Sequence, residues 1–375
     1  MPLRLVYLDN VAATPVDPRV LDAMLPYLKS FYGNPSSLYR YGRIVHTAIN
    51  RAREQVAALA DSLPSQVLFT SCGTEANNLA LASVNLTPGS KIAISAIEHP
   101  SIAEPALHLK HKGHDLIIIK VDNNGLIQPE AIEHLIRLQP SLVSIMLANN
   151  ETGVIQDLAY IAAQLTENGI KVHTDAVQAL GKIPLSFNRL GVQLMSLSSH
   201  KIYGPKGCGA LIIKKDMQIN PILFGGGQEQ GLRAGTENVA AIVGFGKAAE
   251  LAQAELVQRN EHLLFLRELL EDGLMSIPGL RIFSQNAQRL PNTVQFGIPD
   301  EDGEMLLMRL DQKGVAVSSA SACASGSDKP SAVLTAMGIE VSLAKSAIRV
   351  SLGKSNTPAE ICEFIKLLKN LVCQK

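Results

Sequence analysis

The chain has no net charge, since 34 acidic side chains balance 34 basic ones over 375 residues. Without a field of one sign, nothing steers a polyanion or holds the chain to a charged membrane, so no nucleic-acid partner is expected and any bound phosphate is a small, local one. Long apolar runs are missing too, both after the charged start Met1-Pro2-Leu3-Arg4 and elsewhere, and no stretch reaches the length that spans a bilayer. A cytoplasmic protein without a membrane partner is the expectation. Cysteine is sparse and odd in number: Cys72, Cys208, Cys323, Cys362 and Cys373 are scattered, with no paired CxxC spacing. That argues against a disulfide scaffold and a zinc site, so no resident metal is expected. No internal repeat or low-complexity tract appears either.

What is present is globular in character. Apolar residues make up 46% and charged ones 18%, and the length exceeds that at which one core stops growing, which predicts two domains of unequal size. Between residues 65 and 215 short apolar runs alternate with amphipathic stretches, the rhythm of strands joined by crossover helices. The predicted strands are Gln66–Thr70, Lys91–Ser95, Asp115–Lys120, Leu142–Leu147, Lys171–Thr174, Leu194–Leu197 and Gly209–Ile213. Ligands of parallel sheets bind beyond the carboxyl ends of the strands. The candidates there are Gly73-Thr74, Glu98-His99, Asn149-Asn150, Asp175, Gln178 and Ser198 to Lys201. A helical stretch over Thr236 to Glu271 is long enough to bridge two domains, and the boundary is placed inside it. Residues 15–255 then form a large domain, and 1–14 with 256–375 a small α+β domain, with short strands at Arg281–Phe283, Thr293–Phe296 and Val315–Ser318 and a helix from Gly303.

Lys201 follows an apolar strand and precedes a glycine-rich turn, where a dry cleft favours attack of the amine on a carbonyl; alone, it also fits a surface lysine at a strand end. Gly73-Thr74 opens a helix whose N–H groups and hydroxyl suit a phosphate, although Thr74 by itself fits a plain helix cap. Asp175 suits a salt bridge to a protonated pyridine nitrogen, and equally an N-cap.

These residues come in company. Tyr7 to Thr14, Gly33-Asn34-Pro35-Ser36-Ser37, Thr70 to Asn78, Glu98-His99, Asn149 to Gly153, Asp175 to Gln178, Ser198 to Gly209, Arg233 to Asn238, Ser321-Ala322-Cys323 and Ala347 to Ser351 run in order nearly from end to end. Together they resemble the class V aminotransferase group of fold-type I pyridoxal-phosphate enzymes, and within it the cysteine desulfurases of the NifS/IscS type. The resemblance implies an α/β fold with a large domain built on a mainly parallel seven-stranded sheet and a smaller α+β C-terminal domain. It also implies pyridoxal 5′-phosphate as cofactor, a homodimer, and conversion of L-cysteine to L-alanine. Lys201 would hold the cofactor aldehyde and carry protons, and Gly73, Thr74, Ser198 and His200 would bind its phosphate, with Thr236 reaching over from the other subunit. Asp175 would pair with the ring nitrogen and Gln178 with the phenolic oxygen. His99 would stack on the ring and assist proton transfer, although an imidazole satisfied by backbone is the other reading. Asn150 would sit beside the ring oxygen and substrate carboxylate, with Asn34 and Arg349 gripping that carboxylate.

Cys323 separates this branch from its relatives. It lies in a small-residue stretch from Ser318 to Ser331, and the resemblance makes it the thiolate that takes the sulfur as a persulfide and delivers it to an acceptor such as an iron–sulfur scaffold. A transient iron–sulfur ligand role for Cys323 stays open, as does a spectator cysteine in a flexible loop. Tyr39 stands where many relatives have histidine, and the chain ends at Lys375 without the longer tail by which some relatives dock a scaffold. Selenocysteine lyase or cysteine sulfinate desulfinase on the same scaffold, or a sulfur-handling scaffold without turnover, are the alternatives.

Overall fold

A computed structural model describes residues 5–82, 87, 89–319 and 330–373, so that Cys323 lies outside the described residues. After the short β1 (Val6–Tyr7) come β2 (Val67–Thr70), β3 (Lys91–Ser95), β4 (Asp115–Ile119), β5 (Leu142–Ser144), β6 (Lys171–Asp175), β7 (Leu194–Ser198) and β8 (Gly209–Ile213). Each of the seven runs read from the sequence is thus a strand. Among the described residues these seven form one sheet in the order β2-β8-β7-β6-β5-β3-β4. Its centre is parallel, whereas β8 runs antiparallel to both β7 and β2. The run expected to reach Leu147 stops at Ser144. Even so, the N–H groups of Ile145 and Leu147 still donate to the carbonyls of His173 and Asp175, both at 3.0 Å.

Both faces of this sheet are dry except at the edge strand β4, where Ile118 is exposed, and the buried strands read as largely apolar runs rather than alternating ones. Successive side chains point to opposite faces. Leu68, Ile92, Ile94, Leu142, Leu194 and Leu211 pack with Leu79 and Ile102 of the helices Gly73–Ala82 and Pro100–His111. Phe69, Ala93, Val143, Val172, Met195 and Ala210 pack on the other side with Val56, Ile161 and Phe245.

A separate core gathers Val6 and Leu8 with Leu263, Leu266, Leu270, Phe296, Val350 and Phe364. Its strands are β9 (Arg281–Ile282), β10 (Thr293–Gly297), β11 (Val315–Ala316), β12 (Ser318–Ser319) and β13 (Ile348–Ser351). The sheet order is β12-β13-β10-β9, and β1 pairs parallel with β11. The helical stretch expected over Thr236 to Glu271 is broken into two helices, Val239–Ala254 and Leu256–Met275. Glu255 breaks them at φ −102° and ψ 4°, with its carboxylate held by Arg19 at 2.7 Å and Arg259 at 2.6 Å. The physical reason is a change of partner: Phe245 and Ala248 belong to the sheet core, whereas Leu263 and Leu266 belong to the other. Among the described residues no helix is long and apolar enough to cross a membrane.

One contact ties the sheet to the loop that matters below. Gly209 of β8 lies so close to the chain after β2 that an added Cβ would sit 2.5 Å from the Cys72 carbonyl carbon and 2.8 Å from the Leu197 oxygen. Neither is a side chain that can swing away. Gly209→Ala is expected to lower stability by about 1–3 kcal/mol, the usual cost of overpacking, read as a reduced midpoint in thermal unfolding; an unchanged midpoint would contradict this packing.

Candidate active site

The carboxyl ends of β2, β6 and β7 and the loops that follow β3 and β5 converge on a cavity of about 180 Å³. Lys201 enters it from a single 3-10 turn, Ser199–Lys201, that follows β7 directly. The half-buried amine donates to the carbonyl oxygens of Val11 and Ala12, at 2.7 and 2.8 Å. The N-terminal segment is therefore one wall of the lysine's surroundings.

Opposite it, the chain turns at Ser71-Cys72 and begins the helix Gly73–Ala82. Ala76 N–H donates to the Cys72 carbonyl at 3.1 Å, and the preceding N–H groups of a first turn have no partner within the helix, which suits an anion. Gly73 has no room for a side chain, because a Cβ would meet Val177 Cγ2 at 2.9 Å and Ser198 Cβ at 3.4 Å. Glu75 does not oppose an anion there. Its carboxylate is turned to the Ser71 N–H at 2.7 Å and to Arg233 at 2.9 Å. Beside the turn, Ser198 Oγ lies 2.9 Å from His200 Nδ1. Burial first, then the charges of Lys201, Lys206 and Lys182, lower His200 to about 4, so it is neutral near pH 7.

Asp175 ends β6 as a buried carboxylate. Its Oδ1 accepts the Val177 N–H at 2.9 Å and its Oδ2 accepts Asn77 Nδ2 at 2.7 Å. Asn77 also donates to Ser101 Oγ at 2.8 Å, and Ser101 Oγ is 2.7 Å from His99 Nδ1. His99 caps the helix Pro100–His111 by accepting the Ser101 N–H at Nδ1. An accepting Nδ1 leaves the proton of a neutral ring on Nε2. Burial is the largest influence on this histidine and lowers it, aided by Lys201 and opposed by Asp175.

Cys72, Thr74, Met146, Asn150 and Gln178 complete the lining. Arg349 stands behind that wall, donating to the Asn150 carbonyl at 2.9 Å and to Asp9 at 2.8 Å. Two of the residues singled out from the sequence are elsewhere in this chain. Asn34 is exposed, its Oδ1 accepting the Ser36 N–H at 2.9 Å. Thr236 is exposed on a separate cavity of about 200 Å³ that Ser71 and Arg233 also line.

Three contributors escaped the sequence reading. Asn77 was detectable in principle, since it follows Thr74 by one helical turn on the same face. Ser101 follows His99 by two residues, but nothing in the sequence says that its hydroxyl turns back. Lys182, fully enclosed and bonded to Gln178 Oε1 at 2.9 Å, looks like any surface lysine in the sequence. Glu98 is enclosed as well, between Ser95 Oγ at 2.6 Å and the Met146 N–H at 2.7 Å, and burial raises it to about 8.

This geometry has known counterparts. The family model for class-V aminotransferases matches residues 6–364. A protein named cysteine desulfurase IscS from Methanosarcina thermophila is 42% identical over 370 residues, covering 98% of this chain and 92% of that one. Among solved structures, a NifS-like protein superposes with a TM-score of 0.93 at 38% identity, over 99% of this chain and all of the other. A structure described as SspA in complex with cysteine gives 0.82 at 30% identity, over 94% and 99%. With a match of that extent and a cavity built at its strand ends, the chain belongs to the class-V aminotransferase family.

Proposed function

We propose that the chain is a pyridoxal-phosphate-dependent cysteine desulfurase that converts L-cysteine to L-alanine and passes the sulfur to Cys323. The observation that carries the reading is one small cavity in which the Lys201 amine, the Asp175 carboxylate, His99 and the N-terminus of the helix Gly73–Ala82 meet. The relatives named cysteine desulfurase and the cysteine-bound neighbour support the choice of substrate.

The residues fit the cofactor. Asn150 Oδ1 is buried at the cavity with no hydrogen-bond partner among the described residues, the state of a group awaiting a ligand. Gly73 starts a helix at the cavity, beside a neutral histidine and a serine hydroxyl that can donate to a phosphate. When bound, the cofactor supplies an aldehyde for the amine and a protonated ring that withdraws electrons from the substrate. Asp175 holds the proton on the ring nitrogen. Gln178 donates to the phenolic oxygen, and Gly73, Thr74, Ser198 and His200 hold the phosphate. Lys201 Nζ takes the proton from the substrate α-carbon, and neutral His99 donates and recovers one at Nε2. Asn150 and Arg349, with Asn34, orient the substrate carboxylate. At Cys323 a sulfur–sulfur bond forms as the substrate carbon–sulfur bond breaks, and the carbon left behind gains a proton to give alanine.

Thr236 serves the phosphate only from a second copy, which makes a homodimer part of the reading. A cytoplasmic location, an acceptor such as an iron–sulfur scaffold, and a division into units of residues 15–255 and 1–14 with 256–375 belong to it too. Mass spectrometry of the unreduced protein after incubation with L-cysteine is expected to find one added sulfur on the peptide containing Cys323. Alanine formed with no sulfur on that peptide would overturn its role.

A further inference from the structure

The roles assigned above leave unused an enclosed cation that touches a cavity residue. Lys182 lies at the end of the turn that follows β6, four residues after Gln178, and is 7% exposed. Its amine donates to the Gln178 carbonyl at 3.0 Å and to Gln178 Oε1 at 2.9 Å. The other end of the same carboxamide, Nε2, faces the Val11 carbonyl at 3.3 Å, the oxygen that also accepts the Lys201 amine at 2.7 Å.

A lysine only donates and a carbonyl only accepts, so the two contacts require the same orientation of the amide. Turned over, the amide would place N–H against N–H at Lys182 and oxygen against oxygen at Val11. We propose that Lys182 is a positioning residue that locks the Gln178 carboxamide with its N–H₂ end toward Lys201 and the phenolic oxygen of pyridoxal phosphate; this rests on the cofactor reading above.

The surroundings make the lock rigid. Gly181, at φ +65°, packs so tightly that a Cβ would lie 2.9 Å from Ile202 Cγ2, the residue after Lys201. The Lys182 carbonyl accepts Asn260 Nδ2 at 2.8 Å, which fixes the turn against the helix Leu256–Met275. Burial first, then Lys201 and Arg349, lower the Lys182 amine to about 7. The charged form offers only N–H donors, and with the neutral form the Val11 carbonyl, which can only accept, still sets the orientation of the amide.

The test titrates pyridoxal phosphate into the full-length protein freed of cofactor, reading the dissociation constant and the visible absorption of the bound form. Lys182→Met and Gln178→Ala are each expected to weaken binding by about tenfold, the size of one hydrogen bond to a charged group, and to shift the absorption in the same direction. The double variant is expected to match Gln178→Ala, because Lys182 acts through that side chain. A wild-type constant and spectrum in Lys182→Met, or effects that simply add in the double variant, would overturn the proposal. Should Lys182→Met fail to fold, Lys182→Leu removes the same donor; a spectrum shifted toward that of Gln178→Ala supports the lock, and an unaltered one overturns it. Wild-type protein that develops no absorption band would remove the cofactor reading itself, whereas a normal wild-type band with an indifferent Lys182→Met removes this proposal alone.

Discussion

Lys201→Ala is expected to form alanine from cysteine at least about 10³-fold more slowly than the wild type, since on the proposed reading it would lose both the cofactor's covalent anchor and a positioned proton carrier. No neighbour can substitute. The lysine leaves a one-turn 3-10 segment and places its amine between two carbonyls, within the same cavity as Asp175 and His99. The nearby cation Lys182 is bound to both oxygens of Gln178 and belongs to a different turn. Borohydride treatment of the wild type with pyridoxal phosphate should label the peptide bearing Lys201, and the variant should show no label there. Because the side chain is half-buried at a cavity edge, the variant should keep the wild-type unfolding free energy within about 1 kcal/mol, so the loss reads as chemistry. Label on another lysine, or a variant within tenfold of wild-type turnover, would remove the assignment.

The second large effect is expected at Asp175. Asp175→Asn preserves shape and removes charge, so it separates electrostatics from packing. On the proposed reading the ring nitrogen would then have no partner for its proton, and turnover should fall by roughly 10²–10³-fold, the scale of losing one preorganised charge in a site that excludes water. The network predicts a further symptom. Asn77 now donates to Asp175 Oδ2, and its own Oδ1 is buried without a partner among the described residues. An asparagine at 175 presents N–H₂ toward that donor, so Asn77 must turn over, and it then no longer donates to Ser101 Oγ but competes with His99 for the Ser101 hydroxyl proton. Ser101 holds His99. The variant should therefore lose kcat more than it raises KM, and a companion Asn77→Ala should recover part of the His99 effect but none of the charge effect. Turnover of Asp175→Asn within threefold of wild type would show that the carboxylate does not serve the ring.

Much of this site is legible along the chain because strand ends are local events. A five-residue strand closed by Asp175, or by Ser198 before His200 and Lys201, marks a position at the carboxyl edge whatever the neighbouring strands are. The helix start at Gly73 is equally local. The contacts between those ends are not. Arg349 reaches the Asn150 carbonyl across 199 positions of sequence, and Asn77 reaches Asp175 across 98. Lys182 carries no mark that distinguishes it from a lysine in water; only the closing of the turn on Ile202 and the helix Leu256–Met275 encloses it.

The sequence by itself determined which residues could do chemistry and where the strands lie. Tertiary structure decided that β8 runs against its neighbours, that the long helix breaks at Glu255, and that β1 joins the core of the C-terminal third. Hydrophobic periodicity tells which face of an element is buried but not which partner buries it. That choice follows from how whole faces fit together, as does the assembly of a polar network in which every donor must meet an acceptor.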